Sequence, residues 1–249
     1  MSFDPTSPTV FTQGSFTFTQ VTHFEFSVEQ QMTDRKINEL LDEGLTWICA
    51  NQLDAAMQAF QEACRLETRN IHLAGKVRAN LGVVLTKLGM TKEAETCYLE
   101  IERQEVSGDL KALSLSNRAL ILLEEGKLRE AFLLLQEALK CAPQNAALLA
   151  RIANNNGIIF QRQKNFADAR RCFLNGLGYV KETDDKRTMI RLLNNLAAIS
   201  IALDDFDAAR GYLNDIAGCL KEGVDTPYQL AQLIAQNRLL LNHKLRSIT

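Results

Sequence analysis

Alanine returns at a near-constant interval along most of this chain, at Ala56, Ala94, Ala131, Ala169 and Ala209, with successive spacings of 38, 37, 38 and 40 residues. Two further slots keep step with it. Four residues after each alanine stands a large apolar residue (Phe60, Tyr98, Leu135, Phe173, Leu213), and twelve residues before it a small one (Gly44, Gly82, Ala119, Gly157, Ala197). Three slots repeating together mean that one supersecondary unit has been used five times, which excludes a chain folded around a single central core.

The stretch Ser116–Pro143 shows what the unit is. Leu128, Ala131, Phe132, Leu135, Ala138 and Leu139 lie on one face of a 3.6-residue helix, and Lys127, Arg129, Glu130, Gln136, Glu137 and Lys140 on the other. A second amphipathic run precedes them. Gly126 between the two can adopt the positive φ of a sharp helix-to-helix turn, and Pro143 cannot continue a helix. The unit is therefore a helix hairpin, in which small residues let the two helices approach and large ones fill the layer between pairs.

Small residue, alanine and aromatic at these offsets resemble the tetratricopeptide repeat over about residues 37–223, with Gly89, Gly126, Asn165–Phe166 and Asp205–Phe206 at the turns within the pairs. The period exceeds that family's usual length, and the extra residues fall between pairs. In this the chain resembles the longer-period subclass of kinesin light chains, the Leu-Gly-Asn-repeat G-protein regulators and some bacterial regulators. The resemblance implies an all-α fold, a right-handed α-solenoid forming one elongated domain. Five helix hairpins (37–70, 75–108, 112–145, 150–183, 190–223) are followed by a capping helix at 226–246.

The resemblance also points to a site. Fourteen residues before each alanine stand Asp42, Asn80, Asn117, Asn155 and Asn195, on the first helix of each pair, at the slot where related repeats line a concave groove with amides. A carboxamide both donates and accepts, so it can read the main chain of an extended peptide. One turn earlier are Asn38, Lys76, Leu113, Arg151 and Arg191, and the spaced cations favour a peptide that carries carboxylates. The peptide-binding set is thus Asn80, Asn117, Asn155, Asn195, Lys76, Arg151 and Arg191. The alternative role for the amides is to cap or bridge neighbouring helices. Asn154 and Asn156, beside Asn155, are expected to point away from it. Repeats that clamp a chaperone's C-terminal carboxylate use Lys and Asn at slots that here hold Leu41 and Leu45, which disfavours that ligand.

Residues 1–32 differ in kind. Six of the twelve phenylalanines (Phe3, Phe11, Phe16, Phe18, Phe24, Phe26) fall there among threonines, with no Lys or Arg before Arg35. Ser15–Thr19 and His23–Phe26 alternate with period two, so a Phe/Thr-rich, non-helical, extended or disordered segment is expected, with Gln13–Gly14–Ser15 able to turn a hairpin. Such a segment could dock on the repeats or drive self-association through residues 1–30. Thr33 or Asp34 is the expected N-cap of the first helix, and Trp47 a core residue.

A net charge of −2 and pI near 6.0, without a Lys/Arg cluster, argue against nucleic acid. The six cysteines are spread about one per repeat without metal-ligand spacing and read as buried free thiols of a cytoplasmic protein, with no membrane insertion, metal or cofactor expected. His23, His72 and His243 are far apart, and no phosphate-cradling glycine motif occurs, so no enzymatic constellation forms. The function read from the chain is an adaptor or scaffold that takes an extended, acidic peptide of another protein in its concave groove. The alternative is a structural subunit of a multiprotein assembly held by its N-terminal segment and convex surface.

Overall fold

The computed structural model describes residues 16–142, 144–224 and 226–246, which form eleven α-helices and no strand. In chain order the helices are α1 (Phe16–Cys49), α2 (Leu53–Arg65), α3 (Ile71–Lys87), α4 (Thr91–Glu102), α5 (Gly108–Glu124), α6 (Leu128–Cys141), α7 (Ala146–Arg162), α8 (Phe166–Val180), α9 (Lys186–Ala202), α10 (Phe206–Lys221) and α11 (Tyr228–Arg246).

The chain divides into two compact units, Met1–Cys97 and Tyr98–Thr249, with the boundary inside α4. In the first unit α1 packs on both α2 and α3. In the second, α5–α6, α7–α8 and α9–α10 are hairpins, each second helix touches the next first helix, and the first-type helices α5, α7, α9 and α11 adjoin in series. The apolar core follows this order. One cluster lies in α5, α6 and α7, another in α7, α8 and α9, and a third in α9, α10 and α11.

The three sequence slots have direct physical meaning. A Cβ placed on Gly44 would lie 2.3 Å from the Phe60 ring, and one on Gly157 would lie 2.4 Å from the Phe173 ring, although both phenylalanines are fully buried. The repeats whose small slot is alanine carry leucine instead of an aromatic, Ala119 with Leu135 and Ala197 with Leu213, each pair inside one core cluster. The two slots together fill one volume.

All five turns within pairs share one geometry. Asn51, Gly89, Gly126, Lys164 and Asp204 have φ between 55° and 79°, and each stands five residues before its repeat alanine. In every case the next residue's N–H donates back to the carbonyl five residues before it, as in Lys127 N to Leu122 O at 2.8 Å and Asn165 N to Phe160 O at 2.9 Å. This is the Schellman closure of a helix C-terminus. The positive φ falls on Lys164 and Asp204, not on Asn165 and Asp205, whose side chains instead cap α8 and α10 by accepting from Asp168 N and Ala208 N. The first helices are capped alike, α3 by Asn70, α5 by Ser107, α7 by Asn145 and α9 by Asp185.

The N-terminal expectation fails where it can be checked. Residues 16–32, read as non-helical from their Phe/Thr alternation, belong to α1; the candidate hairpin turn Gln13–Gly14–Ser15 lies outside the described residues, as does Pro143. An isolated strand has no ladder partner, whereas adding turns to an existing helix avoids the nucleation penalty. Thr33 and Asp34 are therefore interior, and Asp34 joins Gln30 and Thr68 in a hydrogen-bonded group between α1 and the turn after α2. Trp47 is half-buried and donates to Glu43 at 3.2 Å. The six thiols are free, but none is fully buried: Cys49 is exposed and the others intermediate.

Candidate functional site: the first-helix face

Of the predicted set, Lys76 and Asn80 lie on α3 in the first unit, where the Asn80 amide donates to the Lys76 carbonyl at 2.9 Å. The rest lie in the second unit on α5, α7 and α9, and there a regular seam runs along the face. Asn155 Nδ2 donates to Ser116 Oγ at 3.2 Å, Asn195 Nδ2 to Asn154 Oδ1 at 2.9 Å, and Asn237 Nδ2 to Asn194 Oδ1 at 2.9 Å. In each rung the amide at the repeat slot reaches the residue just before the same slot on the preceding first helix. Asn237 is the α11 member of the series, 42 residues after Asn195.

The amides thus bridge neighbouring helices. Asn117 and Asn155 are only 6% and 5% exposed. Asn154, expected to face away from Asn155, accepts from Asn195 and donates to Asn155 Oδ1 at 3.4 Å, because side chains one residue apart on a helix can both reach the boundary between two helices. The sequence signal for this seam was present: the residues just before the slots are Ser116, Asn154 and Asn194, each with an oxygen acceptor. Asn117 Nδ2 is buried without a partner, and Asn156 Oδ1 is likewise unpaired.

The cations divide by role. Arg118 pairs with Glu102 at 2.6 Å, with both side chains less than one fifth exposed, and Ser114 Oγ lies 3.1 Å from the same carboxylate. Arg162 donates to the Leu123 carbonyl. Both tie neighbouring helices together and were not singled out in the sequence, because their partners are distant along it. Arg151 donates to Asn117 Oδ1 at 3.2 Å, so its guanidinium adjoins the unpartnered amide nitrogen of that side chain. Its pKa is pushed down from the usual arginine value by burial first and by the nearby Arg191 guanidinium second, while Asp185 and Tyr98 act in the opposite sense. Arg191 is exposed. Like-charged neighbours on adjacent helices, one of them desolvated, raise the local affinity for an anion.

No family model matches the chain, and no curated protein matches it by sequence. Solved structures do. The APC/C hetero-tetramer Cut9–Hcn1 aligns at 18% identity over 86% of this chain and 39% of the other, with a TM-score of 0.66. TTC0263, a thermophilic TPR protein of Thermus thermophilus, aligns at 14% identity over 82% of this chain and 99% of the other, with a TM-score of 0.61. PilF of Pseudomonas aeruginosa aligns at 18% identity over 85% and 89% of the two chains, with a TM-score of 0.59.

The chain has the tetratricopeptide-repeat fold. At these identities the likeness concerns the fold and leaves the subclass open, and the chain spans about two fifths of the length of the Cut9–Hcn1 chain it matches. A tetratricopeptide-repeat array presents continuous helix faces for interaction, because each repeat adds the same surface beside the last. Among the described residues no helix is long and apolar enough to cross a membrane.

Proposed function

We propose that this protein is an interaction adaptor that holds an extended, carboxylate-bearing segment of another protein along the first-helix face of its repeats. The observation that carries the reading is the Arg151–Arg191 pair beside the unpartnered Asn117 amide nitrogen; among the described residues neither arginine has a carboxylate within salt-bridge distance. A guanidinium offers a planar fork of donors that fits a carboxylate, and a buried amide nitrogen gains most from an acceptor that arrives with a ligand. Asn155 and Asn195 shape this face, and Lys76 with Asn80 offers similar chemistry on α3 in the other unit.

A second reading has its own support. The regular bridging of Asn155, Asn195 and Asn237 makes the seam a structural device, in keeping with a subunit that joins an assembly through other surfaces. The two readings separate in one experiment: Arg151→Gln/Arg191→Gln and Asn117→Ala/Asn155→Ala are compared with wild type for proteins retained from lysate, after circular dichroism confirms folding. The adaptor reading requires a partner that the arginine variant loses by about tenfold or more per guanidinium. Unchanged retention by both variants overturns it.

A further inference from the structure

Helix α11 is built like the first helix of a sixth hairpin. It packs on α9 and α10 through Leu230, Ile234 and Leu241, and Asn237 makes the rung that Asn195 makes one repeat earlier. A first helix in this fold buries a second side against its own partner helix, and on α11 that side carries exposed apolar residues. Tyr228, Leu233, Leu239 and Leu240 are 76%, 50%, 69% and 47% exposed. Tyr228, Ala231, Ala235 and Leu239, at i, i+3, i+7 and i+11, make one outward apolar stripe. Leu239 also occupies the slot that holds Gly or Ala in all five complete repeats, where a small residue admits the close second helix. Leucine there bars an ordinary hairpin partner, so whatever covers this face packs at a wider spacing.

Charge indicates the occupant. Helix α11 contains Arg238, Lys244 and Arg246 and no Asp or Glu; Lys244 also pairs with Asp204 at 3.5 Å, and Arg238 donates to the Leu213 carbonyl at 3.4 Å. From residue 28 onward, α1 carries Glu29, Asp34, Glu39, Asp42 and Glu43 against only Arg35 and Lys36, and it exposes Val28, Met32 and Leu45. The last helix is thus basic and apolar, the first acidic and apolar. We propose that α11 of one copy docks on α1 of a second copy, joining chains head to tail. Two α11 helices meeting each other would set like charges together, whereas the α11–α1 contact is complementary. Because the two faces differ, the contact is heterologous and leaves each pair of joined copies with one free α11 and one free α1, so association runs to open filaments or closes in a ring. This inference does not rest on the adaptor reading, since Arg151, Arg191 and the amide seam take no part in it.

The test uses the full chain and sedimentation velocity over a range of concentrations in low salt. Wild type is expected to grow in mean mass with concentration and to dissociate as salt rises. Arg238→Glu/Arg246→Glu on α11 and Glu39→Lys/Asp42→Lys on α1, each confirmed as folded by circular dichroism, are expected to stay monomeric alone. An equimolar mixture of the two restores association, because the acidic α11 of one variant meets the basic α1 of the other. A wild type that remains monomeric at about 100 µM, single variants that associate like wild type, or a mixture that stays monomeric would each overturn the proposal.

Discussion

The contact between Gly157 and Phe173 yields a test of how the repeats are packed. Replacing Gly157 by Ala places a methyl carbon 2.4 Å from one ring carbon of Phe173 and 2.6 and 2.7 Å from two others. Carbon atoms in favourable contact sit at about 3.5–4.0 Å, so the ring and helix must separate by roughly 1 Å. Phe173 is fully buried and has no solvent to move into. Helix propensity opposes the effect, since Ala is better than Gly by about 1 kcal/mol in a helix interior. Overpacking of this kind costs about 1–3 kcal/mol, and with rigid ring atoms as the obstacle the upper half of that range applies. Gly157→Ala is therefore expected to lose about 1–2 kcal/mol net, although the same change at an exposed helical site would stabilise.

The chain supplies its own compensating change. Ala119 with Leu135 and Ala197 with Leu213 show that alanine and leucine fill the same two slots together. Phe173→Leu alone opens a cavity and costs about 1–2 kcal/mol. In Gly157→Ala/Phe173→Leu the new methyl enters that cavity, so the double variant is expected to lose less than the sum by about 1–2 kcal/mol. Urea unfolding followed by far-ultraviolet circular dichroism measures all four proteins. A single Gly157→Ala variant as stable as wild type, or strict additivity in the double, would refute the shared-volume account.

Lys164 stands at a positive φ of 58° where two other repeats have glycine. Relief of the left-handed backbone cost exceeds glycine's added unfolded-state entropy, so Lys164→Gly should raise the stability measured by urea unfolding by about 0.5 kcal/mol. Asp185 accepts from Thr188 N at 2.9 Å and from its hydroxyl at 2.6 Å, so Asp185→Ala is expected to destabilise by about 1–2 kcal/mol in the same assay. Burial raises the pKa of Cys172 above the ordinary thiol value, whereas Cys49 is exposed. Only the thiolate reacts, and a raised pKa lowers its fraction at about pH 8, so alkylation followed by mass spectrometry should label Cys49 well before Cys172.

The sequence alone determined the repeated hairpin. Its three slots are set by contacts within a hairpin, between residues 12 to 16 apart, and such contacts recur whenever the local pattern recurs. The left-handed turn position was equally regular, but the residue types there (Asn, Gly, Gly, Lys, Asp) disguise it, because the Schellman closure tolerates an unfavourable φ in exchange for satisfied carbonyls.

Tertiary structure decided what the polar residues do. Asn155, Asn195 and Asn237 find acceptors about 40 residues away, and Arg118 finds Glu102 on another helix; a hydrogen-bond partner depends on how helices stack, which periodicity within one repeat does not specify. The same holds for residues 16–32. Their alternation suits a strand, but a strand needs a neighbour, and the helix that follows them offers a continuation that needs none. Local spacing thus determined which residues face the core, and the packing of one repeat on the next decided which side chains remain open to a partner.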